Sequence, residues 1–371
     1  MKVVEKISSS KNKTKKFIKK NNKKISILIF LGGFLFDFFT LTSIDTAYYR
    51  TIIFVYLSIA LFFIFLINYG DYKNIKNKFI FSLYKNGTYV TQFAFGALLS
   101  GFVIFYTSSG IFAVSWPFLL LLYGLFVGNE TFKRHYERFE FQIMIFYFIL
   151  FAFSVFFIPI TVGKMSDNVF IMSGLVSLFT ILFIVKIFFK ILPILKKRRY
   201  KILRNILIVF SIFNTFYFLN ILPPIPLSVK STQVAHLVER NVSGQRVLTV
   251  EKRSWYEFYD KYFDVFHKIK SGKVYFFVSI FAPRGFETEI QHVWEYYDDF
   301  KEKWVQKSKV KYNIIGGRNN GYRGYSYITN AEEGDWRVTI INKRGAVIGR
   351  KSFKVEDSDG DIVLEKKVLS N

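Results

Sequence analysis

Two sets of residues in this chain have the chemistry for a site. The first lies toward the C-terminal end, where "NIIGGRNNGYRGYSYITN" (residues 313–330) mixes glycine, arginine and tyrosine. Guanidinium groups hold carboxylates and phosphates through paired N–H donors, and aromatic rings offer flat faces for stacking. Arg318, Arg323, Arg337 and Arg350 fall on or next to adjacent predicted strands. Arg318, Arg323 and Arg337, with Trp294 and Tyr325, therefore form a candidate ligand-binding set for a carboxylate, a phosphate or an acidic glycan, and Tyr327 extends its stacking surface. A plainer reading stands beside this one: solvated or ring-stacked arginines, and aromatic strand residues packed in the core. A nucleotide cradle is excluded, because no Lys-Ser/Thr follows the glycines and no helix begins there. Gly316, Gly317 and Gly321 with Asn319 and Asn320 supply turn geometry between two strands.

The second set is polar and lies in apolar surroundings. "GGFLFDFFTLTSID" puts Asp37 well inside a hydrophobic run, where an isolated carboxylate costs several kcal/mol unless it faces protein or water. Counting along the helices at about 1.5 Å per residue brings Asp37 and Asn214 to similar depth. Asp37, Thr40 and Asn214 thus form a candidate intramembrane polar site, with Thr42 and Asn220 nearer the surface. A proton or ion relay is one reading; an interhelical hydrogen bond that fixes packing is the other. The packing reading is preferred, since one carboxylate without a chain of others makes a poor pathway.

Other chemistries have little to stand on. The chain has no cysteine, which excludes disulfides, thiolate metal sites and a cysteine nucleophile. No HExxH, GxSxG or pair of intramembrane aspartates is present, and His135, His236, His267 and His292 are not in metal-ligand spacing. The chain is expected to be no enzyme and to use no cofactor or metal.

The elements that hold these residues follow from composition. Of 371 residues, 51% are hydrophobic and 46 are phenylalanine, which points to a membrane protein. Seven apolar runs are each long enough to cross a bilayer: Ile25–Ser43, Thr51–Tyr69, Thr88–Tyr106, Ile111–Val127, Phe141–Thr161, Val169–Ile191 and Ile206–Leu222. Residues 1–228 carry 27 Lys and Arg against 8 Asp and Glu, so most of the net charge of +25 lies beside these runs. It alternates from loop to loop. Lysines and arginines crowd residues 2–24, 73–85, 133–138 and 196–204, while the intervening loops hold only Arg50 and Lys164. The positive-inside rule then puts the N-terminus in the cytoplasm and everything after "NILPPIPLS" outside. Nucleic acid is excluded as a partner, because the charge flanks membrane spans. Gly32, Gly33, Gly96, Ser100 and Gly101 allow close helix approach, and Asn129 with Glu130 ends the fourth span as a surface feature.

After the prolines at 223, 224 and 226, "RSWYEFYDKYFDVFHKIKSG" has helical aromatic spacing from Trp255 to Phe266, with a capping box at Ser254 and Glu257. The remainder alternates with period two, as in "DWRVTIINKRG", where Trp336, Val338 and Ile340 share one face. The expected organisation is a basic cytoplasmic tail (1–24), a seven-helix transmembrane bundle (25–228), a connector with a short aromatic helix (229–270) and an all-β antiparallel sandwich of immunoglobulin-like type (271–371).

Several motifs occur in order along this last part: "APRGF" at 282–286, "HVW" at 292–294, "GGR" at 316–318, "GYRGYS" at 321–326, "GDWRV" at 334–338 and "IGRKSFKV" at 348–355. In these the chain resembles the bacterial domain-of-unknown-function family 2914, typically found at the C-terminus of multi-pass membrane proteins. The resemblance implies an architecture and supplies no catalytic residues. The chain is accordingly expected in a bacterial inner membrane, with the bilayer and an envelope protein or glycan as partners. Transport around Asp37 is the alternative function.

Overall fold

The computed structural model describes residues 35, 47–73, 75–131, 135–242, 245–252, 264–268, 272–317, 321–358 and 362–369. The chain divides into two compact units, Met1–Ser43 and Ile44–Asn371. In the first only Leu35 is described, so the expected first span, with Asp37 and Thr40, lies outside the described residues. Everything that follows concerns the second unit.

Among the described residues there, six helices are long and apolar enough to cross a membrane. They are α1 (Ala47–Tyr72), α2 (Lys78–Ser108), α3 (Phe112–Thr131), α4 (Phe139–Val162), α5 (Asp167–Ile191) and α6 (Arg199–Phe218). Their ends carry ordinary signals. The Asn77 side chain accepts from the Phe79 and Ile80 N–H groups to start α2, and Ser166 does the same for α5 through Val169. Gly163, at φ 73°, closes α4 in the left-handed conformation that glycine adopts without strain. Helix α4 is apolar all round and packs against α1, α2, α5 and α6, as a central helix must. Phenylalanine rings fill the spaces between helices; Phe151 and Phe213 stack at 4.4 Å.

Asn129 departs from its expected surface role. It is buried, donates from Nδ2 to the Gln92 carbonyl, and its own carbonyl accepts from Gln92 Nε2. Tyr136 donates to its Oδ1, and Gln142 links Tyr136 to Asn68. A buried amide needs a hydrogen-bond partner, and this chain supplies one to each. Gly96 faces it: a Cβ there would come 3.0 Å from Asn129 Nδ2.

The described residues of the β part form three sheets. Strands β1 (Ser228–Ala235), β5 (Lys273–Phe281) and β8 (Tyr322–Thr329) form one in the order β1-β5-β8. Strands β4 (Asp264–Lys268), β6 (Glu287–Asp298), β7 (Lys303–Ile315), β9 (Gly334–Asn342) and β10 (Val347–Asp357) form the second in the order β4-β10-β9-β6-β7. Their inward residues, including Val274, Phe276 and Val278 against Trp294, Trp336, Val338 and Phe353, make one core between the two sheets. The third sheet, from β2 (Leu237–Arg240), β3 (Arg246–Glu251) and β11 (Leu364–Leu369), packs Val238, Leu248 and Val250 against Phe277 on the outer side of β5.

Two expectations are corrected. Residues 229–270 are no connector, since they contribute β1 to β4. The expected aromatic helix ends in strand: Phe266 lies in β4 with its side chain in the sandwich core, while residues 253–263 lie outside the described set. The sandwich is also not wholly antiparallel, because β4 pairs in parallel with β10. A strand so far from its partner in sequence leaves no local signal of its pairing.

Candidate functional site

The expected ligand-binding residues do not converge. Arg318 lies outside the described residues. Trp294 is fully buried in the sandwich, where its Nε1 donates to Ser326 Oγ at 2.9 Å. Arg337 sits on the outer face of the five-stranded sheet. Arg323 and Tyr325 lie on β8 of the other sheet, facing outward. Alternation explains this. Trp294 shares its face with Ile290 and His292, and the inward side of β8 belongs to Gly324 and Ser326. Asn214, from the intramembrane set, donates from Nδ2 to the Phe210 carbonyl on its own helix at 2.8 Å.

Behind "GYRGYS" a buried polar node replaces the expected site. His292 Nδ1 lies 2.8 Å from Ser326 Oγ and its Nε2 lies 2.7 Å from Tyr312 OH. Burial pushes the His292 pKa down to about 3, so the ring is neutral and its two nitrogens divide one donor and one acceptor role between the hydroxyls. A serine, a histidine and a tyrosine in line suggest catalysis, but His292 is fully buried and Ser326 nearly so, and the serine faces protein. The node holds β6, β7 and β8 together. Gly324 belongs to it, since a Cβ there would come 2.4 Å from Tyr312 OH.

On the outer face of the five-stranded sheet, Arg337 grips Glu295 with both Nε and Nη2, at 2.8 and 2.7 Å, and its guanidinium lies 4.3 Å from the Trp304 ring centre. Thr339 donates to the same carboxylate and accepts from Arg350 Nε. Burial works to raise the Glu295 pKa, but the hydrogen bonds from Arg337 and Thr339 outweigh it and hold the carboxyl below its ordinary value. This cluster carries its own counter-anion.

The outer face of β8 is different. Arg323, Tyr325 and Tyr327 alternate outward, and Tyr275 of β5 joins the two tyrosines at ring distances of 6.2 and 5.3 Å. Arg246 of β3 lies over Tyr325 and Lys273 over Tyr327. Arg240 stands directly opposite Arg246 across the β2–β3 pair. Burial, and then the charge of Arg240, push the Arg246 pKa below its ordinary value; Arg323 acts in the same sense.

A third arginine cluster joins the two halves of this unit. The hairpin between β9 and β10 is shaped by Asn342 Oδ1, which accepts from the Arg344 and Ala346 N–H groups. Arg344 reaches Asp167 at the start of α5 at 2.6 Å, donates to the Tyr217 carbonyl, and lies 3.7 Å over the Tyr217 ring. Tyr217 stacks on Phe170 and donates to Asp167. Nearby, the Glu287 N–H donates to the Gly163 carbonyl, and a Cβ on Gly163 would come 2.9 Å from the Gly285 carbonyl oxygen. "APRGF" and "NKRGA" are therefore docking loops. Neither the Arg344 clasp nor the Arg240–Arg246 pair was legible in the sequence: the first is a short turn, and the second lies in the supposed connector.

Finally, Glu251 accepts from the His267 backbone N–H and lies within hydrogen-bond distance of the His236 and His267 rings. Burial tends to raise its pKa, and these two histidines bring it below the ordinary value.

Residues 287–355 match the model of a family described as a protein of unknown function, DUF2914. The matched span runs from the start of β6 through Val355 of β10, so the C-terminal part of the chain carries that domain. No curated protein matches the chain. An immunoglobulin-like protein from Pseudomonas aeruginosa is similar at 10% identity and a TM-score of 0.20, over 35% of this chain and 96% of that one. An alkylpurine DNA glycosylase from Pseudomonas fluorescens, bound to DNA containing an abasic site analog, is similar at 9% identity and the same TM-score of 0.20, over 76% of this chain and 83% of that one. At such scores neither likeness carries an argument; the sandwich rests on the strand pairing and core described above.

Proposed function

We propose that this chain is a polytopic protein of the bacterial inner membrane, with the β domain outside, fixed to the helical bundle and serving as a non-enzymatic binding module for an envelope component. One observation carries this reading. Among the described residues, the attachments of the β domain to the bundle use the helix ends opposite the basic loops: Gly163 and Asp167 between α4 and α5, and Tyr217 at the end of α6. Lys73, Lys76 and Lys78 after α1 and the Lys196–Lys197–Arg198–Arg199 run that leads into α6 belong to the other ends. Basic loops retained in the cytoplasm leave the attached domain on the far side. These contacts make the domain a docked platform and no tethered module.

The absence of cysteine makes the test clean. Cysteine introduced as Val242→Cys, in the exposed β2–β3 loop, is expected to react with a membrane-impermeant maleimide in intact spheroplasts. Lys197→Cys is expected to react only after permeabilisation. The reverse pattern overturns the placement.

A further inference from the structure

The edge of the third sheet beside the outer face of β8 sets two arginines directly against each other. On neighbouring antiparallel strands, like charges placed directly opposite are destabilising, yet Arg240 and Arg246 are such a pair. The groups acting most strongly on Arg246 are Arg240, Arg323, Tyr322 and Tyr325, with no carboxylate among them. Arg323 also reaches this edge and donates from Nη1 to the Leu369 carbonyl of β11. The contrast with Arg337 and Arg344, both gripping carboxylates, is direct.

Beside the guanidinium groups lies an aromatic surface. Tyr325 and Tyr327 remain 40% and 47% exposed although they sit on a sheet whose inner face is a closed core. They are two residues apart on one face, roughly 7 Å along the strand. Tyr275 lies across from Tyr327 in register and completes a three-ring patch. The ammonium over Tyr327 comes from Lys273, an exposed and strongly hydrated side chain that an incoming ring can displace.

We propose that this edge is a binding site for an acidic glycan, with sugar rings lying on Tyr325 and Tyr327 and their carboxylates held by Arg246 and Arg240. The pyranose ring has an apolar C–H face that matches a tyrosine ring, and a uronic acid carries its carboxylate at the ring edge, where the guanidinium groups stand. The paired N–H donors of arginine fit a carboxylate in plane. A lipid headgroup satisfies the cations and leaves the tyrosines unused. Single-stranded nucleic acid uses both features, since bases stack on aromatic rings beside a cationic groove. The choice of glycan over nucleic acid rests on the extracytoplasmic placement proposed above.

The test uses the purified full chain in nanodiscs, so its outcome is independent of the maleimide labelling that tests placement. Polygalacturonate is the probe, dextran the neutral control, and a thymidine oligonucleotide the competing polyanion. Polygalacturonate is expected to bind at least tenfold more tightly than either, with affinity falling as salt rises. Arg246→Ala and Tyr325→Ala are each expected to weaken it at least tenfold without moving the unfolding temperature, and Arg246→Lys to weaken it by less. Lys309→Ala, which removes one exposed cation from the outer face of the five-stranded sheet, is expected to change nothing. Equal losses in Lys309→Ala and Arg246→Ala mean diffuse attraction and overturn the site. Tighter binding of the oligonucleotide through the same residues overturns the ligand class. No polygalacturonate binding by the unaltered protein overturns both.

Discussion

The outer faces of the two packed sheets carry arginines in opposite electrostatic company. On the five-stranded sheet, Arg337 closes on Glu295 in a two-pronged bridge, and Thr339 ties Arg350 to the same carboxylate. On the β8 side, Arg246 of the third sheet lies over Tyr325 and stands opposite Arg240. Arginine on a strand therefore says little by itself about function. What separates a brace from a binding surface is whether the fold brings an anion to it. Arg337, singled out from sequence as a ligand residue, is braced; Arg246, which the sequence did not single out, has no such brace among the described residues.

That comparison breaks most forcefully at Glu295. Glu295→Ala leaves Arg337 and Arg350 half-buried without their anion, an expected loss of about 2–3 kcal/mol, below the range for fully buried pairs because both partners keep some exposure. Chemical denaturation of the full chain in nanodiscs measures it. The same variant is expected to gain affinity for polygalacturonate on a face that has none, which would establish the missing counter-anion as the determinant.

Acid does reversibly what that substitution does permanently. The Glu295 pKa is depressed in the folded state, so its contribution is fully present above the ordinary 4.5 and is lost as pH falls through the folded value. His292, held neutral by burial, adds a separate acid limb: its contribution is present above 6.5 and fades as pH drops toward about 3. Both signs agree, so the unfolding temperature is expected to fall from about pH 6.5 downward. Glu295→Gln is expected to flatten only the portion below about 4.5. A curve in Glu295→Gln that parallels the unaltered one assigns the lower limb elsewhere.

Arg344 tests whether the braced kind of arginine also holds the bundle junction. Its Asp167 partner is half-exposed, so Arg344→Ala is expected to cost about 1–2 kcal/mol, chiefly from lost stacking on Tyr217 and a stranded Asp167. Hydrogen exchange is expected to quicken in Asn342–Ala346 and at the start of α5 while the sandwich core is unchanged.

The sequence showed some of this and hid the rest for identifiable reasons. Apolar runs such as Phe139–Val162 declare themselves locally, because a helix satisfies its own backbone. Alternation placed Trp336, Val338 and Ile340 on one buried face, and the same parity in "EIQHVW" puts Trp294 inside with Ile290. Treating Trp294 as a platform residue overlooked that. The β4 strand was unreadable, since its aromatic spacing also fits a helix and its partner β10 lies far along the chain. The buried Gln92–Asn129 exchange was hidden for a similar reason: each amide makes sense only beside the other. Counter-charges across strands, such as Glu295 for Arg337, depend on register, which single-sequence patterning does not deliver.

The smallest effect on stability is the most informative about function. Arg246→Ala removes a half-buried cation and its stacking on Tyr325, which tends to destabilise, and it relieves repulsion with Arg240, which tends to stabilise. Each is worth a few tenths to about 1 kcal/mol, so the net change is expected within about 0.5 kcal/mol of zero. The double variant Arg240→Ala with Arg246→Ala is expected to be less destabilised than the sum of the singles, because repulsion is removed only once. A fold that loses 2 kcal/mol or more at Arg246, as expected at Glu295, would make this arginine a brace after all. A neutral substitution that abolishes polygalacturonate binding instead means that the residue's charge is kept for a partner and does nothing for the fold.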